Sequence, residues 1–222
     1  MWAKSGKPPV SNNLNPDKAL IFRIVHRDNV AWILDHGLHC RSSPVFDPNY
    51  ANIDNPELID KRSHRAVPVA PGGVLSDFVP FYFTPYSPMM LNIKTGHGGV
   101  VQRPNEDIVI LVSSLHKIAE LEIAFVFSDR HAYLQAAQFS SSLDDLDRID
   151  WKLLQERNFK RDPNDPGKME RYQAEALVHR HMPVTALVGA ACCSDKIKSQ
   201  LDPQLVSRNI TLDVIVRPNW YF

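Results

Sequence analysis

At one point in this chain a charged run turns directly into an apolar one. Residues 168–173 read Lys-Met-Glu-Arg-Tyr-Gln; after Ala174 and Glu175 come Ala176, Leu177 and Val178. The apolar residues, closed downstream by Pro183, have the composition of a short buried strand. Glu175 is thereby a carboxylate at the mouth of a buried strand. An ionised group there is costly unless it has a partner or a task. The plainer alternative is a rim glutamate paired with Arg171 or Arg180, and this stretch alone favours it.

The strand is one of several. Residues 19–26, 78–83, 108–112 and 125–127 are rich in β-branched or aromatic residues, and shorter strands are expected within 184–194 and over 210–216. Pro80 argues that its strand is an edge or carries a bulge. Short helices fall between them. Asp28 is placed to cap one running to Asp35 and stopped by Gly37, Ser114 caps another to Glu120, residues 132–139 have helical composition, Trp151 opens one with Leu153 and Leu154, and Ser194 starts the last. Strands interleaved with short helices predict an α+β chain with a mixed or antiparallel sheet. No linker-like segment divides residues 1–222, so one domain is expected, with the polar, Pro/Asn-rich residues 1–18 as a loosely held N-terminal arm.

Residues 41–77 carry Pro44, Pro48, Pro56, Pro68, Pro71 and Gly72-Gly73 with little periodicity. So long a stretch without regular structure is functional or disordered; Val67, Val69 and Val74 argue for an ordered binding loop. Residues 84–90 read as a turn and 157–168 as a charged loop. Lys plus Arg and Asp plus Glu number 25 each. That excludes a globally basic nucleic-acid binder and leaves room for a local basic groove. Three cysteines, Cys40, Cys192 and Cys193, make no disulfide framework and suit a reducing, cytoplasmic compartment. No apolar run approaches a membrane span.

Four chemistries compete. Metal binding would draw on His36, His39, Cys40, His179 and His181, but the chain has no recognisable ligand pattern, and no metal is expected. The glycine pairs at 72–73 and 98–99 are not phosphate-loop motifs. Cys192 and Cys193 lie in an apolar run, where a thiol is inert, and there is no serine elbow. The fourth is a single glutamate working with one arginine on a cation-like centre.

For that chemistry the chain offers several blocks in order: 21–29 (Ile-Phe-Arg-Ile-Val-His-Arg-Asp-Asn), Val67-Pro68-Val69, 71–83 from Pro-Gly-Gly-Val to Phe-Tyr-Phe, Ser87-Pro88-Met89, Ser128-Asp129-Arg130-His131-Ala132, and 171–178 around Glu175. Together these resemble the DarT toxins, the DNA ADP-ribosyltransferases of DarT–DarG toxin–antitoxin pairs, over nearly the whole chain. The resemblance is greatest to the branch that modifies thymidine in single-stranded DNA.

The resemblance implies an ADP-ribosyltransferase-like fold in which two mixed or antiparallel sheets form a cleft for NAD. It implies Glu175 and Arg62 as catalytic residues, with Arg65 as a nearby competitor for the arginine's place. Arg23, Ile24 and Val25 match the strand that holds nicotinamide, and Trp32 matches a position on the adenosine side, a core tryptophan being the alternative. Residues 41–63 correspond to the NAD-binding element and 125–175 to the loop that presents DNA. His131, Tyr133, Tyr82 and Met89 are then candidates for a pocket around an extruded thymine. Arg103, Lys168 and Arg171 are candidates for phosphate contacts, each with a solvated-surface alternative. Many DarT sequences have Arg where this one has Tyr86. The implied partners are single-stranded DNA and a DarG-like macrodomain antitoxin, with no membrane. The rivals are the same fold acting on guanine, RNA or protein, and a non-catalytic single-stranded-DNA binding module.

Overall fold

In the computed structural model, residues 13–222 are described. Their strands are β1 Leu20–His26, β2 Leu38–His39, β3 Phe78–Tyr82, β4 Ile108–Ser114, β5 Phe125–Ser128, β6 Phe139–Ser140, β7 Glu175–His179, β8 His181–Met182, β9 Gly189–Cys192 and β10 Val214–Val216. Their helices are α1 Val30–His36, α2 Pro56–Ser63, α3 Pro88–Thr95, α4 Leu115–Glu120, α5 Trp151–Glu156, α6 Lys168–Arg171 and α7 Asp195–Val206. Eight strands form one mixed sheet in the order β10-β9-β4-β1-β3-β7-β5-β6, and β2 pairs with β8 as a separate ribbon. Among the described residues only β9 and β10 run parallel.

The apolar run of β4 is buried over its first six residues and pairs with β1 along the whole strand, from Leu20↔Ser114 to His26↔Ile108. On its other side β1 meets β3 at a single registered pair, Phe22↔Tyr82. The sheet therefore consists of two halves, β10-β9-β4-β1 and β3-β7-β5-β6, that touch at one point and then part. Pro80 lies where they part. It has no N–H to offer β1, and its carbonyl accepts instead from Arg23 Nη1 at 2.8 Å. Pro80 is thus neither at a sheet edge nor in a bulge, as its sequence suggested, but in an interior strand left open on one side.

One core cluster runs through both halves, and a smaller one gathers Val67, Leu75, Phe78, Val126, Ala132, Phe139 and Leu177. The α+β expectation is met. Several local expectations are not. Asp28 caps no helix: residues 27–29 form a 3-10 turn, and α1 begins after Asn29, whose side chain is spent on the backbone of Ala51 at 2.8 and 3.0 Å. Gly37 does end α1, at φ +79°; a Cβ there would come within 2.6 Å of both the His181 ring and the Met182 carbonyl. Residues 41–77 contain α2, and the turn expected at 84–90 runs into α3, which starts at Pro88 under a Ser87 cap. Residues 132–139 form no helix, because Asp129 closes them into a loop by accepting from Gln138 N–H while its own N–H reaches the Gln138 carbonyl. The last strand is shorter than 210–216.

Of the expected N-terminal arm, residues 1–12 lie outside the described residues. The remainder is docked: Leu14 is buried, Gln155 Nε2 donates to its carbonyl at 2.8 Å, and His116 Nε2 lies 2.9 Å from Pro16 O. Among the described residues no helix is long and apolar enough to cross a membrane.

Candidate active site

Where β1 and β3 part, a cleft of about 680 Å³ opens, within the roughly 300–1,000 Å³ typical of small-molecule sites. β1 supplies Arg23 and Ile24 to its wall, α1 supplies Trp32, and β3 and α3 supply Tyr82 and Met89. Arg62, His131 and Glu175 meet on its wall, and Gln173 also lines it.

Glu175 is the first residue of β7 and is only 2% exposed. Its backbone pairs with Tyr82 on one side and Ser128 on the other. Arg62 Nη1 donates to both carboxylate oxygens, at 2.8 and 3.2 Å, and the Ala132 N–H donates to Oε1 at 3.0 Å. His131 Nδ1 lies 3.3 Å from Oε1. Burial pushes the carboxyl pKa up, but Arg62, His131 and the Ala132 N–H together outweigh it, and Glu175 titrates below the usual carboxylate range. It is ionised at neutral pH. Burial pushes the His131 imidazole down, against the pull of Glu175 and with the help of Arg62. Burial and the Glu175 charge push the Tyr82 hydroxyl up, which keeps it protonated.

Arg62 arrives on α2, whose first turn is prepared by Asn55 and Pro56. Asn55 Oδ1 accepts from the Glu57 and Leu58 N–H groups, and Pro56 occupies the first helical position. While Arg62 Nη1 serves Glu175, Nη2 is buried without a partner, as is Arg23 Nε. Unspent buried donors are unusual. Here both belong to side chains on the cleft wall, where they suit a ligand rich in acceptor oxygens such as a dinucleotide pyrophosphate or ribose.

The sequence model of the family described as "ssDNA thymidine ADP-ribosyltransferase, DarT" matches residues 22–222. The chain belongs to the DarT family. A DNA ADP-ribosyl transferase of Escherichia coli O127:H6 is 56% identical to it over 212 residues, 96% of this chain and 97% of that protein. Thermus sp. 2.9 DarT in complex with ADP-ribosylated ssDNA matches with a TM-score of 0.86 at 30% identity, covering 98% of this chain and all of that one. The same Thermus protein in complex with NAD+ matches with a TM-score of 0.80 at 32% identity, over 93% and 99% of the two chains. The expected ADP-ribosyltransferase fold is borne out, and NAD, the donor for that transfer, is a group whose acceptor oxygens the unspent donors of this DarT fit.

Eight of the candidate residues of this DarT line the one cleft: Glu175, Arg62, Arg23, Ile24, Trp32, Tyr82, Met89 and His131. Trp32 is partly buried against the core cluster, stacks on His36 at 4.6 Å and lines the cleft. Val25 does not reach the lining. It is fully buried, because alternation along β1 turns its side chain into the core. Tyr133 also stays outside, packed against the smaller core cluster. Arg171 is not free for a phosphate: Asp165 holds its two terminal nitrogens at 2.7 and 3.0 Å, and Asp150, the cap of α5, holds Nε at 3.2 Å. Arg103 lies off the cleft, its N–H bonded to Ile93 O. Tyr86 is covered by the Arg157 guanidinium at 4.0 Å.

His39 and His181 do come together, with ring centroids 4.4 Å apart, but the Nε2 of each lies on the His36 carbonyl, at 3.1 and 2.9 Å. Among the described residues no group of three or more His, Cys, Asp or Glu side chains could hold a metal ion. Sequence reasoning missed the Ala132 N–H, since a backbone donor leaves no mark in residue identity. It also missed Asn55, whose place before Pro56 was a readable cap signal.

Proposed function

We propose that this DarT transfers ADP-ribose from NAD to thymidine in single-stranded DNA, and that it is a toxin opposed by a macrodomain antitoxin of the DarG kind. The observation that carries the reading is the buried Arg62–Glu175 pair on the wall of a dinucleotide-sized cleft. Cleavage of the nicotinamide–ribose bond develops positive charge on the sugar. A carboxylate held in advance by three hydrogen bonds stabilises that charge without reorganising, and the low dielectric of the cleft strengthens the effect.

Beyond Phe22, β1 has no further registered pair with β3. On the side away from β4 its backbone over Arg23–Val25 is thereby open to a carboxamide, and any contact from Val25 is through its main chain. Arg62 is not a proton acceptor, since a guanidinium stays charged; its unspent Nη2 suits stabilising a thymine anion or the donor's oxygens. Tyr82 and His131 adjoin Glu175, and Met89 lines the same cleft against Tyr82, a set that suits an extruded base. That a Thermus relative was solved with ADP-ribosylated ssDNA supports the acceptor assignment. Action on DNA agrees with a cytoplasmic site.

The experiment is incubation with labelled NAD and a panel of single-stranded oligonucleotides. Label confined to thymine-containing strands is expected. Label on guanine, RNA or protein would replace the acceptor, and retention of DNA without transfer would favour a binding module. The toxin assignment predicts growth arrest on expression, relieved by co-expression of an ADP-ribosyl-hydrolysing macrodomain.

A further inference from the structure

Helix α2 brings Arg62 to the cleft yet adds nothing to the core, since none of its residues is buried. A short helix without a packed face must be held at its ends. At the front, Asn55 caps it and donates through Nδ2 to Gly98 O at 2.6 Å. At the back, the chain folds on itself over residues 65–75: Leu75 N–H donates to Arg65 O and Val67 N–H to Gly73 O, both at 2.9 Å. Val67 and Leu75 then enter the smaller core cluster.

The same cluster receives Ala132 from the loop that carries His131 and Phe139 from β6, where that loop ends. That loop has no helix or strand before β6. Arg65 spans the two segments. Its Nη2 donates to Leu134 O at 3.0 Å and its Nη1 to Gln135 Oε1 at 3.2 Å, while Nε is buried without a partner. The side chain is not part of the cleft lining, so these donors are not offered to a ligand there.

We propose that Arg65 is a positioning residue, tying the loop at Leu134–Gln135 to the end of α2 so that Arg62 and the Ala132 N–H reach Glu175 together. The carboxylate takes its donors from two segments that belong to no common strand or helix. Arg62 comes from one side and Ala132, with His131, from the other. A drift of either by an ångström would remove a donor and loosen the carboxylate. The planar fork of a guanidinium suits this task, because it makes two bonds at a fixed angle where lysine makes one point contact. The inference rests on the cleft being the site of NAD cleavage, as proposed above.

The test compares wild type with Arg65→Ala, Arg65→Lys, Gln135→Ala and the Arg65→Ala/Gln135→Ala double variant. Nicotinamide release in the presence of a thymine-containing oligonucleotide gives kcat and KM for NAD, and thermal melting is followed alongside. Arg65→Ala is expected to lower kcat about 10- to 100-fold, the scale of a one-ångström misplacement, with KM for NAD within about threefold. Arg65→Lys should recover part of the loss. Gln135→Ala should cost less than about fivefold, since the Leu134 bond remains, and the double variant should be no worse than Arg65→Ala alone. A kcat within twofold of wild type for Arg65→Ala would overturn the proposal, as would a rise in KM at unchanged kcat, which would mark a direct NAD contact. If Arg65→Ala does not fold, Arg65→Lys and Gln135→Ala decide: a lower kcat at unchanged melting supports the proposal, and unchanged kcat in both overturns it. A wild type that releases nicotinamide but labels no thymine strand removes the acceptor assignment and leaves this comparison intact.

Discussion

The two ends of the Arg62–Glu175 ion pair are held in opposite ways. Glu175 opens β7, whose next three residues are fully buried and which is bonded to β3 and β5 on its two sides. Arg62 stands in the last turn of α2, which buries none of its residues and is secured by its ends. A strand clamped between neighbours cannot shift its first side chain without breaking two ladders. A helix held at its ends can. The carboxylate end of the pair is thus fixed by two strand ladders, while the arginine end depends on the few contacts that anchor α2 at its ends.

The contrast can be broken or sharpened experimentally. Glu175→Ala should have the largest effect, lowering transfer by about 10³ or more on the scale of losing a pre-set electrostatic group, with the fold retained; undiminished labelling of oligonucleotide would end the assignment. Arg62→Ala should follow at about 10²-fold. It should also cost stability of the order of 3 kcal/mol in urea unfolding, because the buried carboxylate loses its counter-charge.

Packing variants compare the two elements directly. Leu177→Ala in β7 removes a fully buried side chain and should cost about 2–5 kcal/mol. Leu58→Ala in α2 should cost under about 1 kcal/mol, the range of substitutions outside the core; equal costs would erase the contrast. Acid provides a further measure. Glu175 titrates below its ordinary value in the folded chain, so its ionisation favours folding above the unfolded pKa, and that contribution is lost as pH falls through the folded one. The stability gap between wild type and Glu175→Gln should be full near neutrality and shrink below about pH 4.3; a gap flat in pH would contradict the lowering. Among the variants read by activity, the smallest effect belongs to the α2 cap. Asn55→Ala should cost about 1 kcal/mol locally and raise KM for NAD a few-fold, leaving kcat close to wild type.

The same contrast explains what could be read from the chain. β4 and β7 were legible because burial writes itself into continuous apolar residues. Glu175 was legible because a carboxylate beside such a run needs a reason. α2 left no periodic signal, since a helix that buries nothing needs no apolar stripe; only Asn55-Pro56 marked its start, and Arg62 was reached through resemblance rather than pattern. The loop at 132–139 has helical composition, yet Asp129 and Arg65 hold it open. Arg171 looked like a free cation in a charged run, and Asp165, six residues before it, and Asp150, 21 before it, occupy it.

The order of residues by itself determined the strands, the α+β class and the isolated glutamate, because each depends on which side chains avoid water over a few consecutive positions. Which strands would part at Pro80, which guanidinium would face the carboxylate and which would be spent elsewhere were decided only in three dimensions. Those outcomes depend on hydrogen bonds between groups as far apart as Arg62 and Glu175 in the chain, and local composition carries no record of a partner more than a hundred residues away.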